Sequence, residues 1–363
     1  MRVMVAMSGG VDSSVAAALL LAQGHEVVGF TMKLRDAAPG EGGGQRGSCC
    51  SPDDLMDARV ACDALGVPHY VVDYREVFAA EVVRPFAEEY LRGRTPNPCV
   101  QCNTRVKFAP LLERARALGA DALATGHYAR VVEEAPGRFA LHRGADRAKD
   151  QSYFLFGVPH DALAVTRFPL GDLHKAQVRE EARRLGLPNW DKPDSEDICF
   201  VPTGDYARVV EEVAGPDRAP RPGPILDLRG RQVGTHEGLH HYTVGQRRGL
   251  HLATGERVYV LSLDVARDAL VVGPLDALRV QGLVAEGCVW AGGAPPAAGG
   301  AVTAQIRYRH AGAAGALVAR GDHAEVYFDA PQPAVTPGQA VVFYDGARVV
   351  GGGWIARALE SAE

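Results

Sequence analysis

Long apolar runs are missing from this sequence. Nothing in it approaches the roughly 20 consecutive apolar residues that a membrane-spanning helix requires, although 47% of its 363 residues are hydrophobic. The composition predicts a soluble globular protein with no membrane partner, and excludes fibrous, collagenous and disordered classes. Cysteine is scarce as well. Cys49, Cys50, Cys62, Cys99, Cys102, Cys199 and Cys288 are too few and too unevenly spaced for a disulfide framework, so catalysis or metal binding is the better reason for the clustered ones. Cys62 and Cys288 stand alone in apolar surroundings and read as inert core residues. Excess positive charge is also absent: 39 Lys+Arg against 44 Asp+Glu leaves −5, so any nucleic acid must be held by local basic patches rather than by the global field. The apolar opening breaks at Gly9-Gly10, too early and too strand-like for a secretory signal, which predicts a cytoplasmic location.

The length predicts two or three domains. Met1–Met7 is strand-like, Val15–Ala22 is a run of helix formers closed by Gly24, and His25–Leu34 is apolar and β-branched, a βαβ opening. Helical 53–65 with Gly66 as its stop, apolar Val67–Asp73, helical Arg75–Leu91 and Arg105–Leu118, and strand-like Ala120–Thr125 continue the alternation. The expected fold class is therefore α/β, a doubly wound and mostly parallel sheet with ligands beyond the carboxyl ends of its strands. After about residue 200 the texture changes to short alternating runs (Arg257–Leu263, Ala269–Val272, Ala324–Phe328, Ala340–Tyr344), with Pro-rich Ala214–Pro224 as a linker. We place the domains at 1–207 (α/β), 208–275 (small, mixed or β) and 276–363 (β-barrel).

Ser8-Gly9-Gly10-Val11-Asp12-Ser13-Ser14 lies between the first strand and the first helix. Adjacent glycines let the backbone curl around an anion, the hydroxyls can donate, and the helix aims its positive end at the bound group. The loop lacks the Gly-Lys-Ser/Thr ending of a Walker A loop, so phosphate charge must be met by backbone N–H groups, the helix N-terminus and a cation such as Mg²⁺ held by Asp12. It resembles the pyrophosphate-binding loop of N-type ATP pyrophosphatases, which adenylate an oxygen and release pyrophosphate. That likeness leaves the nucleophile open.

A second constellation addresses the nucleophile: Thr95-Pro96-Asn97-Pro98-Cys99-Val100-Gln101-Cys102-Asn103, with Ser195-Glu196-Asp197-Ile198-Cys199-Phe200 further on. Two prolines bracket Asn97 in an extended loop that presents Cys99 and Cys102 just ahead of a helix, whose N-terminus favours thiolate. Half a zinc site is the rival reading of the pair, but no second C-x-x-C or His pair follows at zinc-finger spacing. For Cys199 it is a buried small hydrophobe between Ile198 and Phe200, and for Cys49-Cys50 an exposed loop feature.

Taken together, these segments resemble the tRNA-specific 2-thiouridylase family. The likeness runs the length of the chain through Thr125-Gly126-His127-Tyr128, Lys149-Asp150-Gln151-Ser152-Tyr153-Phe154-Leu155, His236-x-Gly238, His241-Tyr242-Thr243-Val244-Gly245-Gln246-Arg247, Arg307-Tyr308-Arg309 and Pro337-Gly338-Gln339-Ala340. It implies ATP-dependent replacement of the wobble-uridine 2-oxygen by sulfur, with tRNA and a sulfur donor (a cysteine desulfurase or sulfur-relay protein) as partners. Ala6, Met7, Ser8, Gly9, Gly10, Val11, Asp12, Ser13, Met32 and Gly126 would form the ATP site. Cys199 would carry the persulfide and Cys102 would be its partner thiol, leaving a disulfide between them. Asn97, Pro98 and Cys99 would meet the target base, and His127, Lys149, Asp150, Gln151, Arg307, Tyr308 and Gln339 would touch tRNA. Many family members have Asp where this chain has Cys99. Cys99, Cys102 and Cys199 are also the right number of thiolates for a [4Fe–4S] cluster with one open iron, so persulfide transfer and cluster-borne sulfur both stand at this point.

Local charge agrees with an RNA partner. Residues 221–250 hold five Arg against Asp227 and Glu237, a balance of +3, with His236, His240 and His241 besides, and residues 287–321 hold no acid at all. The rival enzyme, an amide or amidine ligase of the same nucleotide-binding superfamily, needs neither reactive cysteines nor an RNA surface. A non-enzymatic RNA-binding module would not need an intact Ser8–Ser14 loop.

Overall fold

The computed structural model describes residues 1–36, 52–194, 198–201, 204–218, 220–252 and 255–359. Cys49, Cys50 and Ser195-Glu196-Asp197, singled out above, lie outside the described residues. No helix among the described residues is long and apolar enough to cross a membrane. The chain forms two compact units, one of Met1–Val83, Cys99–Gly204 and Ala347–Val349, the other of Arg84–Pro98, Asp205–Gly346 and Val350–Glu363.

In the first unit β1 (Arg2–Ala6), α1 (Val11–Ala22), β2 (Glu26–Lys33), α2 (Pro52–Leu65), β3 (His69–Asp73) and β4 (Ala122–Thr125) build a parallel sheet in the order β3-β2-β1-β4, extended by Thr166–Arg167. β1 is central and its Val3 and Val5 are fully buried. α1 is apolar nearly all round, as a helix covered on several sides must be. Ala17 and Leu20 pack with Ala58, Ala61 and Cys62 of α2 over Val3, Val5 and Ala124, whereas Val11, Val15 and Ala16 pack on Val178 and Ala182 of the helix Lys175–Arg184. Burial pushes the Cys62 thiol up to about 11, so it stays protonated as a core residue should. A hairpin of Ala129–Ala135 and Arg138–Arg143 completes the unit, with Arg348 paired to His142.

The expected helix starting at Arg105 begins earlier. Right-handed backbone starts at Pro98 and continues through Pro98–Gln101, a π-helical stretch Cys102–Phe108 and Ala109–Ala117. Proline suits the first helical position because the N–H it lacks would have no intrahelical acceptor there. Cys99 and Cys102 are thus inside the opening turns of the helix rather than ahead of it.

The second unit contains a four-stranded sheet in the order Tyr259–Asp264, Ala269–Gly273, Gly223–Leu226, Gln232–His236, with the middle pair parallel. Its barrel has six strands, Arg279–Trp290, Gly300–Gln305, Ala313–Arg320, His323–Pro333, Ala340–Asp345 and Arg348–Leu359, closed where the first pairs with the last. Closure removes the open edges that invite aggregation. Leu283, Val326, Phe343 and Ile355 fill the interior, and Cys288 beside them has its thiol raised by burial to about 12. The α/β opening, mixed middle and closing barrel match the fold class read from the sequence.

Candidate active site

β1 pairs with β2 on one side and β4 on the other, so the sheet reverses its winding at the carboxyl ends of β1 and β4. Ligands of open α/β sheets bind at such a switch point. Met7–Gly10 follows β1 and Gly126 follows β4, which brings two separate predicted motifs to one place. Gly9 has a φ of +75°, and a Cβ there would stand 2.2 Å from the Asp54 carbonyl oxygen. Only glycine can make this turn against α2. Gly10 is the extended N-cap of α1, and no side chain caps it. The N–H groups of the first turn are therefore presented to an anion.

The serines tie the loop to itself. Ser13 Oγ and Ser14 Oγ donate to the Gly10 carbonyl at 3.0 and 3.2 Å, and Ser8 N donates to Ser13 Oγ at 3.2 Å. From outside the motif, Asn189 Nδ2 donates to the Gly9 carbonyl and to Ser14 Oγ, both at 3.0 Å. Lys192 Nζ donates to the Gly9 carbonyl at 3.2 Å while paired to Asp54 and Asp57. Thr31 Oγ1 donates to the Met7 carbonyl at 2.8 Å, beside buried Met32 on β2. Gly126 presses on the loop's backbone: a Cβ there would lie 2.7 Å from Asp12 C and Ser13 N. Gly126→Ala should therefore push the loop out of shape, at about 1–3 kcal/mol by the usual scale of overpacking. A lower melting temperature with weakened ATP binding is the expected result; unchanged values of both would remove Gly126 from the site.

Asp12 is held in a chain of alternating charge. Lys175 Nζ lies 2.8 Å from both Asp12 oxygens and 2.8 Å from Asp194 Oδ1, and Lys149 Nζ is 2.6 Å from Asp194 Oδ2. Burial would raise the Asp194 carboxyl, but hydrogen bonds from Lys149 and Lys175 outweigh it and hold it at about 2. Tyr128 donates its hydroxyl to Asp12 Oδ1 at 2.8 Å, and burial together with Asp12 keeps that phenol protonated well above its ordinary range. Sequence reasoning missed Lys175, Lys192, Asn189 and Asp194. One signal was present for Lys175: it is the first residue of the helix Lys175–Arg184, where a cation opposes the macrodipole and needs another reason to be there.

Other candidates have defined positions in the first unit. His127 hydrogen-bonds Thr125 Oγ1 at 2.7 Å between Phe108 and Phe168, and desolvation lowers its imidazole to about 3, so it offers a neutral ring rather than a charge. Asp150 is buried, accepting from Arg143 at 2.9 Å, Gly144 N at 3.0 Å and Ser152 N at 3.1 Å. Gln151 Oε1 accepts from Tyr128 N at 3.0 Å, which fixes the backbone of the residue that touches Asp12. Cys99 is exposed, Cys102 buried and Cys199 half-buried, with Phe200 edge-on to Phe78 at 5.7 Å.

In the second unit the segment leading to the cysteines is clamped by Pro337-Gly338-Gln339. Gln339 Nε2 donates to the carbonyls of Thr95 at 3.0 Å and Pro96 at 3.2 Å, and Thr95 N donates to the Pro337 carbonyl at 2.9 Å. Gly338 packs so closely that a Cβ would meet Arg94 and Thr95 at 2.9 Å. Asn97 is buried at the end of this clamp. Arg307 is exposed and Tyr308 half-buried in a loop shaped by Gln305 Nε2, which donates to both of their carbonyls.

Three family models match in succession: the tRNA methyl transferase HUP domain over residues 1–203, the tRNA methyl transferase PRC-barrel domain over 216–274 and the aminomethyltransferase beta-barrel domain over 280–355. The chain is 49% identical to the tRNA-specific 2-thiouridylase MnmA of Geotalea uraniireducens, covering 99% of this chain and 96% of that one. It is 50% identical to the MnmA of Magnetococcus marinus, with 98% of each chain covered. The chain belongs to the tRNA-specific 2-thiouridylase family. Family membership covers both ends of the chain, so the phosphate loop, the cysteine segments and the Pro337–Gln339 clamp all fall inside the 2-thiouridylase match.

Proposed function

We propose that the protein is an ATP-dependent tRNA sulfurtransferase that converts the wobble uridine of its tRNAs to 2-thiouridine. The observation that carries this reading is the cradle at the switch point, built from Ser8–Ser14 and Gly126, in a chain that matches 2-thiouridylases from end to end. A urea-like C2 carbonyl is a poor electrophile with a poor leaving oxygen. Its attack on the α-phosphorus releases pyrophosphate and turns that oxygen into a phosphate ester, which a soft sulfur nucleophile can displace as AMP.

The residues divide the work accordingly. The first-turn N–H groups of α1 bind the pyrophosphate end, and Lys175 and Lys192 add positive charge beside the loop. Asp12 and Asp194 converge on one cation, Lys175 Nζ, at 2.8 Å each, a pair of hard oxygen donors that fits Mg²⁺. Mg²⁺ held by the Asp12 and Asp194 carboxylates would supply neutralisation of the triphosphate. The terminal sulfur of a Cys199 persulfide then attacks C2 as AMP leaves. The Cys102 thiolate attacks Cys199 Sγ, the S–S electron pair passes to the base sulfur, and a Cys102–Cys199 disulfide remains for an external thiol to reduce. The two thiols of this step are Cys102, buried in the opening turns of its helix, and Cys199, half-buried next to Phe200.

Incubation with ATP, a persulfide donor and unmodified tRNA should yield 2-thiouridine, AMP and pyrophosphate. Pyrophosphate release without tRNA but with ammonia would instead favour the ligase reading, and binding of tRNA with neither product would leave an RNA-binding module. Exposed Arg307 is proposed as a phosphate contact. Arg307→Ala should shallow the salt dependence of tRNA binding by about one released counterion. An unchanged slope would move Arg307 out of the interface.

A further inference from the structure

We propose a divalent-metal site, of the kind that takes Zn²⁺, at Glu211, His240 and His241 in the second unit. The helix Tyr206–Ala214 supplies Glu211, and the single 3₁₀ turn Leu239–His241 supplies both imidazoles. His240 Nε2 is 3.1 Å and His241 Nε2 4.0 Å from the same oxygen, Glu211 Oε1. The three donor atoms all lie within 4.8 Å of one another. Zinc bonds of about 2.0–2.2 Å in a tetrahedron separate ligand atoms by about 3.4 Å, so only a small inward movement is required. The half-exposed side chains, His241 at 36% and Glu211 at 51%, are the ones free to make it. His240 is the fixed point, 2% exposed, with its Nε2 directed at the group. Two imidazoles and one carboxylate with a solvent-facing fourth position are a donor set suited to zinc. Bound metal would staple the turn to the helix, a link the sequence has no disulfide to make.

Co²⁺ is the probe, because thiolate ligation gives a sulfur-to-cobalt charge-transfer band and nitrogen–oxygen ligation does not. The full chain carrying Cys102→Ser and Cys199→Ser should bind one Co²⁺ with visible d–d absorption and no thiolate band. His241→Ala or Glu211→Gln in that background should weaken binding tenfold or more, in line with losses at metal sites. Zn²⁺ should raise the melting temperature of the parent and not of these two variants. Equal binding by all three proteins, or no binding by the parent lacking Cys102 and Cys199, overturns the proposal. Since His241 and Glu211 are surface side chains, circular dichroism of the variants should be unchanged, which separates lost ligation from lost folding.

Discussion

Lys175→Met should reduce tRNA-dependent pyrophosphate release by about 10²–10³-fold, the usual consequence of removing one preorganised donor to developing charge, while tRNA affinity stays within a few-fold. The ammonium lies 2.8 Å from Asp12 and from Asp194, at the mouth of the phosphate loop. It occupies the first position of its helix, where a cation costs about 0.3–1 kcal/mol against the macrodipole. A purely structural lysine there would be replaced without loss. Methionine keeps the length of the stem and removes only the charge and its donors, so a fall in pyrophosphate release with an unshifted melting temperature marks a role in the chemistry. Asp12→Asn should act in the same assay and in the same direction, because it removes the carboxylate assigned to Mg²⁺. Turnover within threefold of the parent in both variants would reduce the Asp12–Lys175 pair to an ordinary half-buried ion pair.

Much of this site was legible in the sequence because its devices are local. Ser8–Ser14 reads as a phosphate loop from a strand, two glycines and a helix start within a few residues, and the Gly9 turn against Asp54 is the reason those glycines stand there. The sheet, too, follows from apolar runs such as Val3–Val5 and Val27–Met32, which signal strands buried on both faces. Long-range partners carry no such mark. Asn189 and Lys192 reach the Gly9 carbonyl across about 180 residues of chain, and nothing in the composition around them announces it. The cysteine helix starts earlier than the sequence pattern suggests, because proline in a Pro-x-Pro segment signals a loop, whereas Pro98 at the first helical position starts the helix. Gln339 is expected at the tRNA from the family resemblance; the structure shows its side chain bonded to the Thr95 and Pro96 carbonyls, with Thr95 N on the Pro337 carbonyl, which holds the approach to Asn97.

Cys102→Ala and Cys199→Ala should each remove detectable 2-thiouridine while leaving ATP-dependent activation of tRNA within a few-fold, since adenylation needs the loop and the base but no thiol. Continued thiolation by either variant would take that cysteine out of the sulfur path. Cys99 decides what the sulfur rides on. It is exposed in the first turn of the helix that begins at Pro98, one turn from buried Cys102. In a persulfide enzyme, Cys99→Asp restores the commoner family residue, and its activity should equal or exceed that of the parent. Protein purified without oxygen should then be colourless and should carry a persulfide on Cys199 after reaction with the donor. A cluster enzyme requires the opposite on every count: brown protein with about four irons per chain, iron lost on replacement of Cys99, and inactive apo-protein rescued by iron and sulfide. Iron retention that depends on Cys99 would overturn the two-thiol mechanism even if the Cys102 and Cys199 variants behave as expected, because those two residues would be ligands under either chemistry.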